Sequence, residues 1–566
     1  MRYSTLIIIS ITFLVNFKVL FSQTAPTKPK LGVLLVFDQF RGDFISKWQD
    51  HFVKDGILRL TSEGTWFDNC HYPYSGTLTG AGHATLTTGA TPSVHGIIGN
   101  DWYDRKEGKN SYCAASPRWS SIPPIPEQPS TLNPNEKEKK RLGGTPEKLR
   151  SETLGDALKR STNKQGKVVS LSFKDRSSVL PAGMTPDHCY WFDTSSGKFQ
   201  TSNFYAAKTA SWLTDFNESK IIEEWRNKSW EKLHPEKDYE MFSSPDELTG
   251  EGNGKNQGKI FPHPFGKIEK DYYDALYNSP FGNNILLELS KRAIKSENLG
   301  KNEHPDLLLV SFSSNDSVGH SWGPDSQEVF DTTLRTDLLI RDLLIFLDKE
   351  VGKNNYVLAL SADHGVCPLP EFSKIKGKES GRIPMDKFAK EIESTLQNKF
   401  GKLTPPAKYL EAFSDTSAYL NYGTLKANSV KLDDATAFIK DWALQQPGIL
   451  TAFSSKEIIE TNSNSDPLLI SVSKSWFKGR SGDITFILKP YFIPGGYLTG
   501  TTHGSPHAYD THVPLIAFGG GIKPHLIKEK VSPQIAASII AEGLGISAPA
   551  ASEFPPPKHI WLNKVD

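Results

Sequence analysis

The chain has 566 residues, of which 37% are apolar and 23% charged, and its formal net charge is +1. That length and apolar content support one large buried core or two and exclude general disorder. The near-neutral balance excludes a basic nucleic-acid reader, so any anionic substrate must be met by local charge.

Residues 1–22 read as a secretory signal peptide: Arg2 is a positive start, Leu6 to Leu20 is largely apolar, and Ser22 is a small residue closing the run. Asn16 and Lys18 interrupt it, and no later stretch approaches the roughly 20 apolar residues of a membrane span. A soluble chain, periplasmic or secreted, is expected. Residues 23–566 read as a single catalytic domain with insertions at about 105–145, 187–270 and 370–480. Cys70, Cys113, Cys189 and Cys367 lack the short paired spacing of zinc or redox motifs; three disulfide pairings stay open, and so do structural or unpaired cysteines, since a chain this long needs no staples.

Leu31 to Phe37, LGVLLVF, reads as a strand buried on both faces of a parallel sheet. Asp38 stands at its carboxyl end, the edge where open α/β sheets bind ligands. A helix is expected around Phe52 to Thr61. Thr77 to Asn100 then gathers hydroxyls, glycines and two histidines. Gly80 and Gly82 permit close backbone approach after Thr79, and His83 to Thr88 reads as the first helical turns, whose free amides favour an anion. Ile122 to Arg141 is proline-rich and then charged, an exposed excursion. Thr145 and Pro146 read as the start of a helix with Leu149, Leu154 and Leu158 as its apolar positions. Lys167 to Leu171 is a buried strand running into Lys174-Asp175-Arg176, two cations that read either as a phosphate clamp or as a solvated turn. Asp187 to Lys270 is aromatic and irregular and reads as a roof over the site, its rings packed rather than base-stacking.

Regular structure returns with a helix over Asn283 to Ile294 and a strand over Asp306 to Phe312, which leads to Asp316 and His320. Ser326 opens a long helix, and Tyr356 to Leu360 is a strand before Asp363-His364. Ala407 to Phe453 reads as a small lobe with a helix over Asp433 to Leu444. Asp483 to Leu488 and Val513 to Phe518 are strands, and Ser532 to Leu544 is the last helix. Between them the glycine-rich Pro494 to Pro506 carries His503, with His507 and His512 nearby. The alternation predicts an α/β fold: a mostly parallel central sheet flanked by helices on both faces, with cap insertions.

Asp38, Asp316 with His320, Asp363 with His364, and a late histidine all follow strands or glycine loops. Carboxylate oxygen and neutral imidazole suit zinc when one position must stay open. Three acids and three histidines make two sites, and paired ions about 4 Å apart clamp the attacking and leaving oxygens of an in-line displacement. A threonine hydroxyl such as Thr79 is a poor nucleophile until such an ion lowers its pKa.

In these residues the chain resembles the alkaline phosphatase superfamily, and within it the phosphate-irrepressible alkaline phosphatases that have a threonine nucleophile. The resemblance is carried by the Asp38 strand, Thr79-Gly-Ala-Gly-His83, Asn100, Lys174-Asp-Arg176, Asp316 to His320, Asp363-His364 and His503-Gly504, in that order. It implies two zinc ions. Asp38, Asp363 and His364 would hold the one that binds Thr79; Asp316, His320 and His503 would hold the other. Asn100, Lys174 and Arg176 would contact the phosphoryl oxygens. The late ligand is His503 or His507, and the family pattern of histidine followed by glycine favours His503. Thr79, unlike Thr77, has the family's four-residue spacing to His83, which is expected to pack behind the nucleophile. His71, His95, His188 and His263 are left as structural or solvent-facing.

The implied activity is hydrolysis of varied phosphate monoesters through a phosphothreonine intermediate. The alternative is a nucleotide pyrophosphatase or phosphodiesterase of the same superfamily, which has less use for the cationic pair. Sulfatase chemistry is disfavoured because no cysteine stands in the motif those enzymes convert. The expected partners are small phosphate esters, with no nucleic acid and no stable membrane span, and the expected state is a monomer.

Overall fold

The computed structural model describes residues 28–125, 142–266, 269–496 and 498–562. Residues 1–22, expected to be a signal peptide, and most of the proline- and charge-rich excursion lie outside the described residues. Seven consecutive apolar or small residues make Leu31–Phe37 a strand buried along its whole length. It runs parallel between Asp306–Phe312 and Tyr356–Ser361. The parallel set is completed by Val168–Ser172 and His188–Asp193.

Ten strands form this sheet. Beyond the five parallel ones, Leu515–Gly519 and Thr65–Phe67 pair antiparallel on one side, followed by His525–Ile527, and Lys198–Ser202 and Ser121–Ile122 pair antiparallel on the other. Helices Thr79–Thr88, Leu154–Ser161, Asp175–Ala182 and Ile535–Leu544 pack together on one face, and Ile57–Glu63, Pro280–Glu297 and Gln327–Leu347 lie on the other. Gly32 has no side chain because a Cβ there would come within 2.7 Å of Ile540. The fold is the expected α/β sandwich, and its five central strands point their carboxyl ends to one edge.

A second, antiparallel sheet of Leu410–Ser414, Ser417–Leu420, Ile484–Leu488 and Ile449–Ser454 forms the small lobe. Helices Met385–Phe400 and Leu432–Ala443 supply its own apolar core, including Phe388, Ile392 and Ile439 against Phe486. Asp483 to Leu488, read as one further strand, belongs to this lobe.

Several boundaries differ from the sequence reading for physical reasons. Thr145 and Pro146 do not open a helix; the helix is Leu154–Ser161, where Thr153 and Asp156 form a reciprocal capping box. The helix expected around Phe52 to Thr61 is Ile57–Glu63, because the buried Asp337 carboxylate accepts the amides of Val53 and Ile57, both at 2.6 Å. The aromatic stretch from Asp187 begins by adding two strands to the central sheet. Its later rings do pack: Trp230 Nε1 and Tyr239 Oη both donate to Asp331 at 2.7 Å. All four cysteines are buried, and no disulfide joins them.

Candidate active site

Sheet register assembles the first group of ligands. Val36 and Ser361 are paired across the sheet, and Asp38 and Asp363 each lie two residues further on, at the carboxyl edge. With His364 they form a fully buried trio whose ligand atoms lie within 4.8 Å of one another. The neighbouring strand Asp306–Phe312 leads into helix Ser314–Trp322, which carries Asp316 and His320 one turn apart. Their third partner is His503, in a second trio of the same span. His507 is elsewhere: its Nε2 donates to Leu488 O at 2.9 Å.

The helix after Leu78 starts at Thr79 itself, four residues before His83, where the sequence reading placed its first turns. Thr79 Oγ1 lies 3.2 Å from His364 Nε2 and is almost wholly buried. Gly82 is required here, since a Cβ would meet Asp363 O at 2.2 Å. His83 braces this turn without joining a trio: its Nδ1–H donates to Thr79 O at 2.9 Å, and its Nε2 accepts from Ser311 Oγ at 2.7 Å. The amide of Gly80 is not free for an anion, because it donates to Asn100 Oδ1 at 2.9 Å. That bond turns the NH2 of Asn100 into its donor end.

Lys174 joins the two trios. Its Nζ lies 2.6 Å from Asp38 Oδ2 and 2.6 Å from Asp316 Oδ2. Arg176 opens onto the cavity that Lys174, Asp316 and His320 also line, and its buried Nε has no hydrogen-bond partner.

Three features of the site match divalent cations, the first common to both trios and the second particular to the deep one. Each histidine gives its Nδ1–H to a backbone carbonyl: His364 to Gly365 O at 2.9 Å, His320 to Thr501 O at 2.7 Å, and His503 to Thr77 O at 2.7 Å. A carbonyl can only accept, so a neutral ring then aims an Nε2 lone pair at its carboxylate neighbours. His364 Nε2 is 3.4 Å from both Asp38 Oδ1 and Asp363 Oδ2. Asp38 Oδ1 is buried and receives no hydrogen bond, and Asp363 Oδ2 has beside it only His83 Nδ1 at 3.1 Å, a nitrogen already turned to Thr79 O. An orphaned buried carboxylate oxygen is costly unless a cation meets it. Finally, three carboxylates face one buried ammonium.

The electrostatics follow from that excess. Burial, with Asp316 and Asp363 adding to it, holds the Asp38 carboxyl well above its ordinary range. Burial also pushes Asp316 and Asp363 up, but His320 and Lys174 at the first, and His364 and His83 at the second, pull them below it. Burial lowers His503, helped by His364 and His320, and burial lowers His364. Both are thereby kept in the neutral form that binds metal.

Gln39 was not legible as a site residue. Its backbone is left-handed (φ 66°), its amide donates to Asp363 Oδ1 at 3.2 Å, and its Nε2 donates to Asp316 Oδ1 at 2.8 Å. Only its place after Asp38 hinted at this. Gly319 makes room for it, as a Cβ would fall 1.9 Å from Gln39 Oε1.

Fold and site together define a metal-dependent hydrolase. The family model described as type I phosphodiesterase / nucleotide pyrophosphatase matches residues 32–510. The alkaline phosphatase PafA of Elizabethkingia meningoseptica is 34% identical over 503 residues, covering 88% of each chain. A Myroides odoratus protein named calcium-transporting ATPase is 33% identical over 555 residues, covering 97% of each. The crystal structure of wild-type PafA superposes with a TM-score of 0.85 at 33% identity, over 95% of this chain and 100% of that one. The chain belongs to the type I phosphodiesterase / nucleotide pyrophosphatase family, within the alkaline phosphatase superfamily.

Proposed function

We propose that the protein hydrolyses phosphate monoesters to inorganic phosphate through a phosphothreonine intermediate on Thr79, with a broad substrate range. The observation that carries this reading is a pair of ligand trios beside one buried threonine hydroxyl, joined by a lysine. The relatives named as alkaline phosphatases support it.

Asp38, Asp363 and His364 would hold one zinc ion, with Thr79 beside it, and Asp316, His320 and His503 the other; the mixed oxygen and imidazole donors suit zinc. When bound, such ions supply Lewis-acid stabilisation to the attacking and leaving oxygens. Their charge relieves Asp38 and Asp316 of the need for Lys174 as counter-ion. Its ammonium, with Arg176 and the NH2 of Asn100, is then available to the non-bridging oxygens of a monoester dianion. Thr79 Oγ attacks phosphorus as its hydroxyl proton passes to solvent, the ester P–O bond breaks, and the alcohol leaves with a proton taken back from solvent. A second water then attacks the phosphothreonine, releasing phosphate and restoring the hydroxyl. Export through the leader and a monomeric state complete the reading.

The family model's own description favours a second reading, a nucleotide pyrophosphatase or phosphodiesterase built on the same trios. It is the weaker one, because a diester offers one free oxygen and one charge fewer to Lys174 and Arg176. The Myroides relative's name suggests transport, but no helix among the described residues is long and apolar enough to cross a membrane. The test is turnover of p-nitrophenyl phosphate against bis-p-nitrophenyl phosphate, each with and without a chelator. Faster turnover of the diester overturns the monoesterase reading, and chelator-insensitive activity overturns the metal assignment.

A further inference from the structure

The cavity beside the second trio has a volume of about 560 Å3, and its wall includes Asp316, His320, Ser321, Arg176 and Lys255. Its other charges are committed. Asp193 accepts from the amides and hydroxyls of Ser195 and Ser196, and Asp175 accepts from Tyr112 Oη and the Arg176 amide. Lys174 is held by Asp38 and Asp316. Lys255 is exposed and forms no ion pair among the described residues.

The loop that carries Lys255 is fastened to the helix of the second trio. Gly252 N donates to Ser321 O at 2.7 Å. Gly254, with φ +53°, lies flat on Trp322, where a Cβ would come within 2.8 Å of the ring. Gln257 Oε1 accepts from Asn278 Nδ2 at 2.8 Å, and Asn278 Oδ1 accepts from the hydroxyls of Ser317 and Ser321. Ser317 and Ser321 flank His320 on that helix, so the base of Lys255 keeps a set position relative to it.

We propose that Lys255 determines specificity by pairing with a second anionic group, a carboxylate or phosphate, on the alcohol part of the substrate. The inference rests on the phosphomonoesterase reading. In an in-line displacement the leaving oxygen lies opposite Thr79, on the side of the second trio, and the alcohol projects into the cavity that Asp316 and His320 share with Lys255. The ammonium on its flexible stem then reaches a charge that a neutral alcohol lacks.

The experiment compares kcat/KM for 3-carboxyphenyl phosphate and phenyl phosphate, whose phenols are similar leaving groups, with the metal-loaded full chain. The ratio of the two should fall about fivefold in Lys255→Ala and further in Lys255→Glu, and return in Lys255→Arg. In the wild-type protein the ratio should also fall as salt rises from about 0.02 to about 0.5 M, since the pair is open to solvent. A ratio unmoved by the substitutions overturns the assignment, and if they do not fold, a salt-insensitive wild-type ratio does so. Failure of the wild-type protein to turn over either ester instead overturns the phosphomonoesterase reading beneath it.

Discussion

The two ligand trios are built by different means. Asp38, Asp363 and His364 stand at the ends of adjacent parallel strands, and none of their side chains reaches solvent. Asp316 and His320 share a helix, His503 comes from a remote glycine-rich loop, and the His320 side chain is 34% exposed. The deep trio is held by the sheet and braced by His83 and Gln39. The open trio borders the cavity that Asp316 and His320 line. In the proposed reaction, rigidity would lie on the side of Thr79 and access on the side of the leaving alcohol.

That contrast can be broken most sharply at Thr79. Thr79→Ala should lower kcat on p-nitrophenyl phosphate by about 10⁴-fold and abolish acid-stable phosphoprotein, while metal analysis finds both equivalents retained. Loss of metal in this variant would mean that nucleophile and trio are not separable. Next, Asp363→Asn should remove one equivalent and about 3 kcal/mol of holoprotein stability, because it disturbs the braced core of the deep trio. His320→Ala should remove the other equivalent at a cost of about 1 kcal/mol, by calorimetry. Equal stability losses would erase the distinction between deep and open trios.

The cationic pair tests the chemistry across both trios. Lys174→Ala with Arg176→Ala should reduce monoester kcat/KM by about 10²-fold more than diester kcat/KM. A parallel decline would remove the reason for preferring a monoesterase.

The smallest effect serves as a control remote from both trios. Glu297 accepts from His188 Nε2, Lys167 Nζ and Trp212 Nε1, and these bonds, that of His188 foremost, hold its carboxyl down to about 2. Its unfolded value is about 4.3, so its contribution is present above that pH and fades as pH falls toward about 2. Glu297→Gln should cost about 1 kcal/mol at pH 7, after allowance for solvent screening, and less as the medium is acidified. Denaturant titration at pH 7 and pH 3 measures it, and kcat/KM should not follow.

Sequence by itself determined the class of fold and most of the residues that gather in the two trios. Leu31 to Phe37 and Asp306 to Phe312 match their strands residue for residue, because a strand covered on both faces leaves an uninterrupted apolar run. Acids and histidines directly after such runs fall at one sheet edge, so Asp38, Asp363, His364, Asp316 and His320 were readable before any contact was known. Tertiary structure alone decided what depends on partners distant in the chain. It set His503 beside Asp316 and turned His507 to Leu488 O. It started Ile57–Glu63 from the carboxylate of Asp337, made sheet strands of residues 188–202, and strung Lys174 between Asp38 and Asp316. Local patterns report what a segment buries; ligand choice, capping from afar and charge pairing are properties of contacts, which exist only once the chain has closed on itself.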